Sequence, residues 1–350
     1  MLNVYLRSSS YSSWSLCEHK TFLSYTLGLP EDPGKAATLG NVYHKTMEHI
    51  AKCKLLYQST GEKGGYNVGD EYIGEFIPKD IFDNEEIIYP LCQKSFIYYK
   101  GLTPHLKWSD KDLVTVLGWV NKSLTENKGI YDPRKKQIEF VEKFFDFEID
   151  EPWAEYQYQI GDREIKGKLA LKGTMDLVTK IDDDHYEVLD YKSGQHRSDF
   201  STGEEKTYTK LQTDPQLLIY YYACRKIFPN IKYFDFSIYF LNAGGMFTLC
   251  FDDESLELSK NLIKSRFEEM KENQNPRLLE PTKKGREKGN YKCYNCCSFQ
   301  KNKQPGTDLS ICEFFQLEIQ SKGLDKVTEE YCNWDKLLTY GDGGGRKAGE

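Results

Sequence analysis

The segment Tyr186-Glu-Val-Leu-Asp190-Tyr191-Lys192-Ser-Gly194 sets an acid and a base two residues apart at the end of an apolar run. Strand side chains alternate between faces, so Asp190 and Lys192 project on one side, after Tyr186 and Val188. Gly173-Thr-Met-Asp176-Leu-Val supplies a second carboxylate inside an apolar stretch, which is costly unless it is paired or ligated. Phe140-Val-Glu142-Lys-Phe interrupts a third stretch in the same way. Charges on exposed strand faces would explain one such interruption. Three on successive strands, with an Asp-x-Lys pair, point to a site. Its chemistry would be phosphodiester hydrolysis: a divalent ion polarises the phosphate and acidifies a water. Mg2+ or Mn2+ prefers carboxylate oxygens, and a neighbouring lysine can position the water or stabilise developing charge.

Those residues need strands, and the pattern supplies them from residue 138 on. Ile138 to Ile149 alternates in part, Lys168 to Lys180 reads as a second strand, and His185 to Lys192 as a third. Asp214-Pro215 opens a helix to about Ile227, because Asp caps and Pro suits the first turn. Tyr233 to Asn242 and Met246 to Phe251 predict a hairpin around Ala243-Gly244-Gly245, followed by a helix over 253–273. Upstream, 8–29 reads as a short helix with Ser12 or Ser13 as cap. Residues 36–57 read as a second helix through Val42, Met47, Ile50 and Leu55. Residues 58–75 read as a glycine-rich loop and 76–130 as weakly helical. The stretch 275–312 reads as loop-rich, and 341–350 as a disordered tail.

The chain has 350 residues, a formal net charge of -7, ten cysteines and 25 tyrosines. That charge disfavours a simple basic DNA-coating protein but permits a local basic groove. No apolar core of signal-peptide or membrane-spanning length is present. The expected location is the cytoplasm, nucleoid or host cytoplasm, with no membrane, and a disulfide framework is not expected there. No Walker-type glycine-lysine run appears, so helicase activity is not encoded.

Residues 173–192 resemble motifs II and III of the PD-(D/E)XK nuclease superfamily. The branch most similar is that of RecB-like exonucleases, which includes AddB-type domains and CRISPR-associated four-cysteine nucleases. Gln216 and Tyr220, four apart on one helix face, match the glutamine and tyrosine of that branch. His44, in Leu39-Gly-Asn-Val-Tyr-His44, matches its upstream histidine. The resemblance covers residues 8–312. It implies that His44, Asp176, Asp190 and the Tyr191 carbonyl ligate Mg2+ or Mn2+ and that Lys192 acts on the attacking water. Gln216 and Tyr220 would position the lysine or DNA, and Glu142 would support the centre from behind.

Cys293-Tyr-Asn-Cys296-Cys297, Cys312 and the early Cys17 resemble the iron–sulfur staple of the same branch. That resemblance implies a structural 4Fe–4S cluster on Cys17, Cys293, Cys296 and Cys312. The gap from Cys296 to Cys312 is long for the family, Cys297 is an alternative to Cys296, and Zn2+ suits four thiolates as well. Cys53, Cys92, Cys224, Cys250 and Cys332 read as packing or surface residues. Lys283, Lys284 and Arg286, with Arg197, are candidates for phosphate contacts, a solvated loop being the alternative. Phe22, Tyr25 and Tyr43 suit either base stacking or core.

The expected fold is α/β: a restriction-endonuclease-like core with a mixed central sheet of four or five strands flanked by helices. The expected divisions are an N-terminal helical region (1–135), the nuclease core (136–274) and a cysteine-rich region packed on it (275–340), before the tail. The expected activity is exonucleolytic cleavage of single-stranded DNA or DNA ends in repair, recombination or phage/CRISPR DNA processing, alone or beside a helicase or recombinase. The alternatives are a catalytically idle iron–sulfur DNA-binding subunit of a nuclease–helicase assembly, an RNA-directed nuclease and a zinc-bound structural protein.

Overall fold

The computed structural model describes residues 1–60, 66–67, 75–76, 88–198, 203–279, 293 and 297–338. The described strands are β1 (Tyr5–Leu6), β2 (Tyr66–Asn67), β3 (Glu75–Phe76), β4 (Ile138–Glu148), β5 (Glu155–Ile160), β6 (Arg163–Lys168), β7 (Ala170–Asp182), β8 (His185–Lys192), β9 (Tyr233–Phe240) and β10 (Gly245–Cys250). Six of them form one mixed sheet in the order β1-β7-β8-β9-β10, with β4 also paired to β7. β2 with β3, and β5 with β6, form separate two-stranded ribbons. The β5–β6 ribbon, the parallel strand β1 and the helices Ile311–Lys322 and Leu324–Tyr331 add to the predicted elements.

β8 and β9 run parallel, from His185 opposite Tyr233 to Lys192 opposite Phe240. Parallel neighbours need a crossover connection, and the helix Pro215–Ile227 provides it. One face of the sheet buries this helix, the helix Asp253–Glu272 and the N- and C-terminal segments, through Val188, Phe236, Leu218, Phe267 and Phe315. The other buries the helices Lys35–Thr60, Ile88–Leu102 and Asp110–Thr125, through Leu177, Leu189, Tyr43, Met47 and Val116.

The abundant aromatics are chiefly core. Tyr131 stacks on Tyr239 with centroids 3.9 Å apart. Phe22 and Tyr43 are fully buried, so neither can stack on a base; each ring belongs to one of the two cores. The first helix runs Ser8–Leu16 and starts earlier than Ser12 or Ser13 would have it. The cap position is Arg7, whose amide donates to Ser10 Oγ at 2.9 Å. The chain then continues as the helix Glu18–Thr21 and a π-helical turn, Phe22–Thr26.

Candidate active site

The site lies where β7 and β8 part. Their ladder runs from Asp182–His185 to Leu177–Leu189 and ends there. One rung further stand Asp176 and Asp190. Beyond the fork β7 pairs with β1 instead, at Ala170 and Leu171. The fork leaves the Tyr191 amide without a β7 carbonyl, and the Asp176 carboxylate takes its place: Tyr191 N donates to Asp176 Oδ2 at 3.0 Å. A buried backbone donor needs such a partner, so the carboxylate is fixed by the geometry of the split.

His44 approaches from the helix Lys35–Thr60, which packs on β4 and β7 through Val42, Met47 and Ile50. Its Nδ1 lies 3.2 Å from Asp176 Oδ2. Tyr43 anchors this turn, sharing a 2.7 Å hydrogen bond with Ser123 Oγ and meeting the Tyr191 ring edge-on. Gly40 is required by close approach: a Cβ there would stand 2.9 Å from Ser193 Oγ.

Lys192 Nζ stands 2.7 Å from Asp190 Oδ2. Gln216 Nε2 donates to Asp190 Oδ1 at 2.9 Å and lies 3.2 Å from the Tyr220 hydroxyl, which donates to the Thr174 carbonyl at 2.7 Å. Asp214 makes this arrangement possible by capping the helix, accepting from Gln216 N at 2.9 Å, a cap worth about 1 kcal/mol. The spacing that pairs Gln216 with Tyr220 also aims both at the sheet edge. Gly173 admits the Phe145 ring, since a Cβ there would lie 2.4 Å from Phe145 Cζ. Phe145 in turn meets Tyr220 edge-on. Gln216→Ala is expected to weaken Mn2+ binding by about 10- to 100-fold, the usual effect of losing a group that orients a ligand. Isothermal titration checks this, and an unchanged affinity would reduce Gln216 to packing.

Burial and charge divide the two aspartates. Burial opposes ionisation of Asp176, yet His44, Lys192 and the Tyr191 amide together hold its carboxyl below the ordinary carboxylate range. Burial pushes Asp190 up, and the charge of Asp176 adds to this against the pull of Lys192 and His44. Burial lowers His44 and Lys192, but the two carboxylates more than restore both, leaving each above its usual value. The pair thus favours a cation between its carboxylates.

Among the described residues, no group of three or more His, Cys, Asp or Glu side chains is already gathered to hold a metal ion. At this site His44 stands against Asp176 and Lys192 against Asp190. The donor set nonetheless fits a hard divalent ion: Asp190 Oδ2 is buried and, despite the nearby ammonium, has no aligned hydrogen bond. Lys192 keeps about a third of its side chain exposed, so it can swing aside.

A pocket beside Asp176 is lined by His44, Glu48, Glu142, Leu177 and Tyr191 among others. Glu48 was missed in the sequence, although it lies one helical turn after His44, the spacing that puts both on one face. Lys45 and Lys52 hold it at 2.9 and 2.7 Å. Glu142 is one of three non-glycine residues with positive φ among those described, at +49°. That conformation costs about 1–3 kcal/mol and persists only where its surroundings enforce it.

At the far side of the N-terminal helices, Cys17, Cys293, Cys297 and Cys312 are all buried and close enough to shift one another's ionisation. Cys17 caps the helix Glu18–Thr21, with Lys20 N donating to its sulfur at 3.4 Å. Hydrogen bonds from the Cys293 and Cys312 thiols pull Cys297 down to about 2, and the same bonds push its two partners up. These thiols are neighbours, but they are not among any group of three or more described side chains gathered to hold a metal ion. Cys296 lies outside the described residues, as do Lys283, Lys284 and Arg286. Cys53, Cys92, Cys224 and Cys332 are buried and Cys250 is exposed, all as free thiols. Arg197 pairs with Glu205, donates to the Ala243 carbonyl at 3.3 Å and lies over Phe247.

A family model described as the PD-(D/E)XK nuclease superfamily matches residues 8–296, and the chain belongs to that superfamily. Its class of chemistry is phosphodiester hydrolysis by a nuclease; members typically use Mg2+ or Mn2+, and the family implies a DNA substrate. The comparison with curated proteins gave no match. No described helix is long and apolar enough to cross a membrane.

Proposed function

We propose that this protein is a divalent-metal-dependent deoxyribonuclease that trims single-stranded DNA or DNA ends. The observation that carries the reading is the fork of β7 and β8, which sets Asp176–His44 and Asp190–Lys192 side by side at one sheet edge. A binding module has no need of that set. His44, Asp176, Asp190 and the Tyr191 carbonyl would hold Mg2+ or Mn2+, which supplies Lewis acidity toward the phosphate and a more acidic water. Lys192, released from Asp190, holds the attacking water by hydrogen bonding and offers positive charge to the phosphate oxygen that gains negative charge. Gln216 orients Asp190, and Tyr220 ties Gln216 to β7 through Thr174.

The exonucleolytic, end-directed mode rests on the resemblance to the RecB-like branch, as does a helicase or recombinase partner in repair, recombination or phage/CRISPR DNA processing. The same resemblance assigns a structural 4Fe–4S cluster to Cys17, Cys293 and Cys312, with Cys297 favoured over Cys296 by its bonds to Cys293 and Cys312; Zn2+ is the competing occupant. A polynuclear cluster needs its thiolates spread wider than one ion does. A cytoplasmic setting would keep such thiols reduced.

The test is cleavage of end-labelled single- and double-stranded DNA, with an RNA arm, by anaerobically purified protein in Mg2+, Mn2+ or EDTA. Stepwise shortening of DNA from an end, absent in EDTA, is the expected result. Internal cuts would replace the exonuclease reading, preference for RNA would replace the substrate, and tight binding without cleavage in every metal would favour an idle DNA-binding subunit.

A further inference from the structure

Asp176 has an acidic neighbour across the ladder. The pairs Val141–Leu177 and Lys143–Met175 set Glu142 on the same rung as Asp176. Both strands reverse their side-chain alternation there. In β4, Val141 packs into the core beneath the His44 helix, whereas Phe145 and Phe147 belong to the core on the opposite face. In β7, Leu177 belongs to the first of these cores and Met175 to the second. A regular strand would place Val141 with Phe145, and Leu177 with Met175, on common faces. The left-handed backbone of Glu142 falls at this reversal. Glycine would take that conformation freely. A glutamate stands there instead, and it lines the pocket that His44, Asp176 and Tyr191 also line.

We propose that Glu142, set on the Asp176 rung by the β4–β7 register and reversed in face at its left-handed backbone, is a further carboxylate of the divalent-metal centre, and that it sets the centre's affinity for the ion. This rests on the metal-dependent reading above. A glutamate oxygen is the donor type that Mg2+ and Mn2+ select. Its place on the rung of Asp176, rather than beside Asp190, puts the added charge on the His44 side of the ion, away from the position of Lys192.

The test is titration of the anaerobically purified full chain with Mn2+, following the free ion by electron paramagnetic resonance, beside thermal melts in EDTA. The wild type is expected to bind Mn2+. Glu142→Gln keeps the size and backbone and removes the charge; it should weaken binding about tenfold or more and melt in EDTA like the wild type. Glu142→Gly removes strain and carboxylate together, so it should melt higher in EDTA and bind as weakly as the glutamine variant. Wild-type affinity in Glu142→Gln would overturn the proposal and leave Glu142 a structural residue of the rung where the alternation reverses. A wild type that binds no Mn2+ would instead sink the metal-dependent reading and this inference with it.

Discussion

Asp190→Asn will stop cleavage and leave the fold standing. The loss in rate should be on the order of 10³-fold, within the range that a positioned catalytic group commands. The substitution keeps the size of the side chain and one oxygen for Gln216 Nε2, now 2.9 Å from Asp190 Oδ1. It removes a charge that burial disfavours. Melting in EDTA should therefore be unchanged or slightly higher, as is common where a site is kept at the expense of stability. Stabilisation by added Mn2+, present in the wild type by linkage, should disappear. A variant that unfolds in EDTA would make Asp190 a structural residue. One that still cleaves would move the catalytic centre elsewhere.

Cys17→Ser should have the second large effect, on stability rather than on chemistry. Cys17 lies in the N-terminal helices and its three thiol neighbours lie near residue 300, so a shared cluster would close a loop of most of the chain. Cross-links that close such long loops restrict the unfolded state, and about 3–5 kcal/mol is the scale of that effect. Loss of iron, loss of the visible charge-transfer absorption and a melting point lower by several degrees are expected together. Cys297→Ser should behave alike, and Cys296→Ser should not. Unchanged iron and melting in Cys17→Ser would end the staple; zinc in place of iron would keep it and change its occupant.

Much of this was legible because the local signals agreed. β8 runs His185–Lys192, as the alternation dictates, and a helix runs Pro215–Ile227 behind its Asp-Pro cap. The order Asp176, Asp190, Lys192, Gln216, Tyr220 is a sequence property, and one sheet edge gathers them. The fork itself is a matter of pairing register between distant segments, which no local pattern encodes. The β5–β6 ribbon carried a signal that was missed, the alternation of Tyr156, Tyr158 and Ile160 with the exposed Glu155, Gln157 and Gln159. The helix Ile311–Lys322 also carried a signal, the Ser310–Glu313 capping box, overshadowed by the cysteines around it.

The short strand β1 has a consequence for how the molecule comes to be made. Tyr5 and Leu6 lie parallel to Ala170 and Leu171, and the Asn333 amide donates to the Leu27 carbonyl. A segment that leaves the ribosome early must wait for partners translated much later. Contacts so distant along the chain slow folding and leave apolar surface uncovered in the interval. Met1, Leu2, Val4 and Leu6, all buried in the finished core, stay uncovered until Ala170 and Leu171 have been made.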